Sequence, residues 1–354
     1  MYIYDRGDYM AAKKDNENKD NLLQMIFDHI WYSIFPKPRI GTISQEELDE
    51  VFPHLPEKIN YELPKKNPKE GIYIPIGQTF KNKTITLSLK DNPMSYVVGT
   101  TGSGKSVMTK VILTTLVSNY SPKELEIYLA DLKRVELNLF RRVKHCKKFV
   151  YTVEDTTELI ADLLEETNRR YELFMKYEVT DIFEYNKLPN VKKLKYQVLF
   201  VEEIVMLLED KKKNAMRLLK QLIAISRASG LYIFLTTQRP SNDVIDNVVK
   251  ANINNRIVFK CEDSKNSIVA LDREGAENLK GHGHGIIKRG SKLEEFQAYF
   301  ITDTEVKKLI EPYIKPINEQ TINDDNKTSK NEHERARTIS DDNNIIDLSF
   351  IDNL

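Results

Sequence analysis

The sequence predicts an α/β fold: a mostly parallel central sheet flanked by helices, with a small β-rich and helical region ahead of it. Three observations predict it. From residue 95 onward, short β-branched or aromatic runs alternate with longer helical stretches. A glycine-rich octapeptide ending at Ser106 joins one such run to one such helix. A second apolar run ends in two adjacent acids, Glu202 and Glu203.

In chain order, the first 20 or so residues are polar, and 21–35 has helical spacing, with Leu22, Met25, Ile26, His29 and Ile30 on one face. A proline-containing stretch, 36–68, carries a short amphipathic segment at 45–52. Residues 1–70 are therefore read as a helical or extended accessory region. Strands are expected at 72–76 and 84–89, a β-rich lead-in spanning 71–94, and then at 95–98, 126–130, 198–201, 232–236 and 256–259. Helices are expected at 105–118, 154–176 and 214–229, giving one large domain over 71–315. Residues 316–354 are polar and read as a disordered tail. Its acidic and apolar end, 345–354, is either a frayed terminus or a short partner-binding peptide.

Composition narrows the class. The 354 residues are 40% hydrophobic, enough to fill a substantial core. Lys+Arg and Asp+Glu both number 53, so any nucleic-acid site has to be a local basic patch. Cys146 and Cys261 have no metal-type spacing and read as reduced core residues of a cytoplasmic protein. No apolar run approaches the roughly 20 residues of a membrane span. The best candidate, 23–35, is broken by Gln24, Asp28, His29 and Ser33 and lacks the flanks of a signal peptide.

Gly99-Thr100-Thr101-Gly102-Ser103-Gly104-Lys105-Ser106 fits G-x-x-x-x-G-K-[ST] between a strand and a helix. Backbone N–H groups of such a loop curl around phosphate oxygens, and the helix N-terminus adds partial positive charge. These residues and the following Val107 form the expected nucleotide-binding set, with Lys105 on the β- and γ-phosphates and Ser106 on Mg²⁺. ATP and Mg²⁺ are thus the expected cofactors, on a RecA-like P-loop fold. Glu202 is expected to help hold the metal and Glu203 to polarise the attacking water. Asp is commoner than Glu at the first of these positions. Gln238, after a further apolar strand, is placed to sense the γ-phosphate.

Over residues 71–312 the chain resembles the FtsK/SpoIIIE family of DNA translocases, within the wider group that contains HerA. The resemblance rests on an ordered series. After the octapeptide come Asp131-Leu132-Lys133 with Glu136-Leu137, Arg169-Arg170-Tyr171, and Glu184-Tyr185-Asn186. The two acids are followed by Arg227-Ala228-Ser229-Gly230, Thr237-Gln238-Arg239-Pro240, and Lys250-Ala251-Asn252-Ile253 leading to Arg256. Gly275-Ala276-Glu277 and Gly281-His282-Gly283 close the series.

The resemblance implies an ATP-driven motor closed into a homohexameric ring around duplex DNA. It implies a trans arginine finger at Arg256, with Arg227 a second candidate. It implies sequence-independent DNA contacts from a loop carrying Lys288, Arg289 and Lys292, while Ile268 stands where the family has a pore arginine. His282 and His284 are assigned to a turn rather than to a metal. Neither membrane spans nor a winged-helix domain is recognisable. That fits a motor of a plasmid, phage or integrative element, recruited to a protein partner through 1–70 or the tail. The alternatives are a coupling ATPase for relaxase-bound single strands, a type VII-like secretion ATPase, and a nucleotide-gated scaffold.

Overall fold

The computed structural model describes residues 55–316, except 68, 70, 213 and 254 and the side chains of 247 and 248. All described residues belong to one unit, which begins at Leu55. The helices expected at 21–35 and 45–52, and the tail from 317, lie outside the described residues.

The strands are β1 Ile59–Asn60, β2 Tyr73–Gln78, β3 Thr84–Ser88, β4 Met94–Val98, β5 Leu125–Asp131, β6 Cys146–Val150, β7 Tyr196–Glu202, β8 Leu231–Thr237, β9 Asn255–Phe259, β10 His284–Arg289 and β11 Lys292–Phe300. The helices are α1 Lys105–Asn119, α2 Val153–Lys176, α3 Ile182–Lys187, α4 Asn214–Ile225, α5 Asn247–Asn252, α6 Ser264–Leu271 and α7 Asp303–Ile310. Among the described residues the strands form one sheet in the order β3-β2-β11-β10-β9-β4-β8-β7-β5-β6, with β1 beside β11. From β9 to β6 all pairings are parallel; from β9 to β3 all are antiparallel.

In the parallel part of the sheet, β4, β7, β8 and β9 are buried on both faces, as helical crossovers require. β4 shows why: all five residues are buried, and they alternate between two cores. Val97 belongs to a core with Met108, Ile112 and Leu116 of α1 and Val306 and Ile310 of α7. Tyr96 and Val98 belong to the other, with Leu159 and Leu163 of α2, Leu219 and Ile223 of α4, and Ala270 of α6. α1 is buried nearly all round, because α7, β2 and β11 pack on it as well as the parallel strands. Helix starts are set locally. The Thr152 side chain accepts from Asp155 N to cap α2, and Thr302 with Glu305 makes a capping box on α7.

The lead-in strands β2 and β3 continue the main sheet through β11. Other elements differ from the sequence reading. β1 and the buried Tyr61, whose hydroxyl lies 2.8 Å from Thr115 Oγ1, join this unit ahead of residue 71. β6 was not expected. The stretch 288–292, read as a loop, is a β-hairpin: Arg289 pairs with Lys292 across a two-residue turn at Gly290 and Ser291. No helix among the described residues is long and apolar enough to cross a membrane.

Candidate functional site

Because β4, β5, β7 and β8 run parallel, their carboxyl ends share one edge of the sheet. That edge gathers the phosphate loop after β4, Asp131 and its loop after β5, Glu202 and Glu203 from β7, and Thr236 to Gln238 from β8. Gly99 N donates to Thr237 O (3.2 Å) and Thr100 N to Lys260 O (3.0 Å), tying the phosphate loop to both neighbouring strands.

Gly102 and Gly104 take φ of 76° and 115°, which L side chains rarely adopt. A Cβ on Gly104 would lie 2.7 Å from the backbone of Gly283. This contact gives the Gly281-His282-Gly283 turn a role. Gly283 N donates to Ser103 O at 2.8 Å, and the turn is held from behind by Gln297 Nε2 on His282 O and Ala298 N on Gly283 O, both at 2.8 Å. His284 instead faces Glu295, with Nε2 2.5 Å from its carboxylate.

Lys105 is only 2% exposed, and its ammonium donates to Glu202, whose other oxygen accepts from the Thr236 hydroxyl. Burial raises the Glu202 pKa above the ordinary carboxylate value, with the Lys105 charge and these bonds pulling the other way. Ser106 Oγ donates to Glu136 at 2.7 Å. Glu203 has left-handed backbone angles, φ 61° and ψ 61°. Its carboxylate accepts from Lys133 Nζ (2.6 Å), Thr237 Oγ1 (2.6 Å) and Gln238 N (3.2 Å). Burial acts to raise the Glu203 pKa, but the three donors outweigh it and hold the group below the usual range. Gln238 thus meets Glu203 through its backbone. Val107 follows in the first turn of α1 and packs on the α1 core.

The loop fits a nucleotide and its metal. The two glycines hold it in a left-handed curl, and the buried Ser103 hydroxyl has no partner within the protein. The donor set pairs an ammonium and a hydroxyl, Lys105 and Ser106, with two carboxylates, Glu202 and Glu136.

Other expected site residues lie elsewhere. Arg256, on β9, donates to Asp272 at 2.5 Å and to Lys250 O at 3.4 Å. Arg227 is exposed in the turn between α4 and β8, at the amino end of that strand. A seven-residue strand, about 20 Å long, separates it from Gln238. Lys288 and Arg289 are strand residues of β10. Lys288 Nζ donates to Asp272 (2.5 Å) and Leu271 O (2.9 Å), and Arg289 donates to Asn255 Oδ1 (3.1 Å) and Thr86 O (2.8 Å). Lys292 is exposed and pairs with Glu294 at 3.2 Å. Ile268 is exposed on α6. Asp272 also receives Lys250 (3.1 Å), so three cations converge on one carboxylate. The roles of Lys133, Glu136, Thr236 and Thr237 were not read from the sequence. Their signal was present in the Asp131–Leu137 and Thr237–Pro240 motifs, but not the direction of the loops.

Comparison with known proteins agrees with this architecture. The model of the FtsK/SpoIIIE family matches residues 62–242. DNA translocase FtsK of Borreliella burgdorferi is 35% identical over 246 residues, 67% of this chain and 31% of that protein. DNA translocase SpoIIIE of Bacillus subtilis is 30% identical over 291 residues, 79% of this chain and 36% of that protein. The chain therefore spans about a third of the length of these relatives. Among solved structures, the monomer form of the pCW3 conjugation coupling protein TcpA with ATPγS superposes with a TM-score of 0.66 at 25% identity. It covers 73% of this chain and 75% of that one. By its P-loop fold and by a family match over half its length, the chain belongs to the FtsK/SpoIIIE family.

Proposed function

We propose that this chain is an ATP-hydrolysing DNA translocase motor that works as a homohexameric ring on duplex DNA, in DNA transfer by a mobile element. The observation that carries the reading is the convergence of Lys105, Ser106, Glu202 and Glu203 on one sheet edge in a chain of this family. Lys105 and the loop amides bind the phosphates, with Ser106 and Glu202 as metal-holding groups. Bound Mg²⁺ supplies charge neutralisation for the phosphates. Glu203, kept anionic by Lys133, Thr237 and Gln238, accepts a proton from the attacking water. The Gln238 side chain senses the γ-phosphate. Arg256 completes a neighbouring subunit's site, which is where a trans finger contributes about 10³–10⁵ in rate. Lys288, Arg289 and Lys292 contact DNA phosphates without reading sequence.

Resemblance to TcpA over three quarters of its chain supports the place in conjugation and a second reading, a coupling ATPase acting on single strands. Turnover measured with duplex DNA, single strands or no DNA, at low and moderate salt, separates the two. Strong stimulation by duplex supports the first reading, and preference for single strands supports the second. Equal rates in all three conditions exclude a DNA motor.

A further inference from the structure

We propose that Glu136 is a metal-holding residue of the nucleotide site, acting with Ser106 and Glu202 on the magnesium ion of the bound nucleotide. This rests on the ATP site proposed above and adds a residue to it.

The case begins with the partner of Ser106. A P-loop serine gives its hydroxyl oxygen to the cation. Here that hydroxyl donates to Glu136 Oε1 at 2.7 Å, so the carboxylate stands one hydrogen bond from the ligating atom. Magnesium keeps several waters when bound and is held by one or two carboxylates besides the phosphates. A carboxylate in that position is within reach of the metal's water shell.

The second strand of the case concerns Glu202. It is 1% exposed and is committed on both oxygens, one to Lys105 and the other to Thr236. It is thus poorly free to serve a cation alone. Glu136 is half-buried and bonded to Ser106, so it offers a second carboxylate at the phosphate loop.

Third, the segment carrying Glu136 is fixed rather than loose. Arg134 N donates to Asp131 O and Leu137 N to Asp131 Oδ2, both at 2.9 Å. Arg134 takes φ 61°, and Leu137 is fully buried. Asp131 itself pairs in register with Glu202 across β5 and β7, and its Oδ1 is buried without a partner. The loop is therefore built from the strand end that borders the site. The same loop sends Lys133 to Glu203. One short segment thus reaches both the metal side and the water side of the centre.

The test is calorimetric binding of ATPγS to the full chain, with saturating Mg²⁺ and with EDTA, together with Mn²⁺ binding read by electron paramagnetic resonance on the nucleotide complex. The variants are Glu136→Gln and Glu136→Asp. The expected result for Glu136→Gln is metal-free affinity as in the wild type, with the gain from Mg²⁺ and the Mn²⁺ affinity cut about 10- to 100-fold. Glu136→Asp is expected to recover part of the loss. The proposal is overturned if Glu136→Gln keeps the full Mg²⁺ gain. It is also overturned if the variant loses metal-free and metal-bound affinity alike, since that marks a structural role. Failure of the wild-type chain to bind ATPγS under either condition is a different result: it overturns the ATP site itself.

Discussion

Lys133 Nζ lies 2.6 Å from the Glu203 carboxylate and joins the loop after β5 to the end of β7. Glu203 carries left-handed backbone angles that a non-glycine residue adopts only under constraint. The cation, Thr237 and the Gln238 amide together set where its carboxylate points.

Removing the cation therefore misplaces the proposed base, Glu203, without emptying the nucleotide site. Lys133→Ala is expected to lower single-turnover hydrolysis by about tenfold to a hundredfold while leaving ATPγS affinity within about twofold. Lys133→Arg should restore most of the rate. Glu203→Gln should keep binding and lose about 10²–10⁴ in rate. Rapid-quench kinetics beside calorimetry checks both. A Lys133→Ala variant with wild-type turnover contradicts the assigned role.

Lys105 and Glu202 form a pair shielded from water, with 2% and 1% of their side chains exposed. Taking away the cation leaves a carboxylate whose burial already disfavours its charge. Lys105→Ala is expected to abolish nucleotide binding and to cost up to about 3–5 kcal/mol of folding stability. The double change with Glu202→Gln should regain much of that stability but no binding. Denaturant melts of the three proteins decide it.

Asp272 holds Arg256, Lys288 and Lys250 at once. These contacts, with desolvation opposing them, hold its carboxyl far below the ordinary range. Asp272→Asn releases positive charge on that face. Duplex DNA affinity is expected to rise at moderate salt, while Lys288→Ala or Lys292→Ala should each reduce the salt slope by about one. Fluorescence anisotropy across a salt series measures this. Unchanged slopes for both lysine variants would place the DNA path elsewhere.

His145 gives a pH signature. Its Nε2 donates to Tyr120 O at 2.6 Å, and its Nδ1 is buried without a partner, so a second proton has nowhere to bond. Burial lowers its pKa below the ordinary 6.5, the Tyr120 bond working against this and the Lys144 charge adding to it. A depressed folded-state value means its stabilising contribution is present above about 6.5 and is lost as pH falls through the folded value. Melting temperature measured from pH 8 to 5 should drop more steeply for the wild type than for His145→Gln.

What the sequence revealed and what it hid follow from how local each feature is. The octapeptide was legible because its glycines, strand and helix form one continuous segment, and Glu202 and Glu203 because they end an apolar run. Lys133 and Glu136 were visible only as motif letters. Their direction is set by the Asp131 side chain gripping Leu137 N and by one left-handed residue, Arg134. β6 escaped notice because it is an edge strand carrying Lys147 and Lys148, the usual guard against edge pairing. The β10–β11 hairpin was masked by lysines and glutamates along its strands. Its cations read as a free loop, whereas tertiary contacts commit Lys288 to Asp272 and Arg289 to Asn255 and Thr86.

Movement along DNA is tested most directly by ATP-dependent displacement of a third strand annealed to duplex DNA. The wild-type chain is expected to strip the strand only when ATP is present, and Glu203→Gln is expected to leave it in place. Brisk ATP turnover on the same duplex with no displacement would contradict a translocating motor.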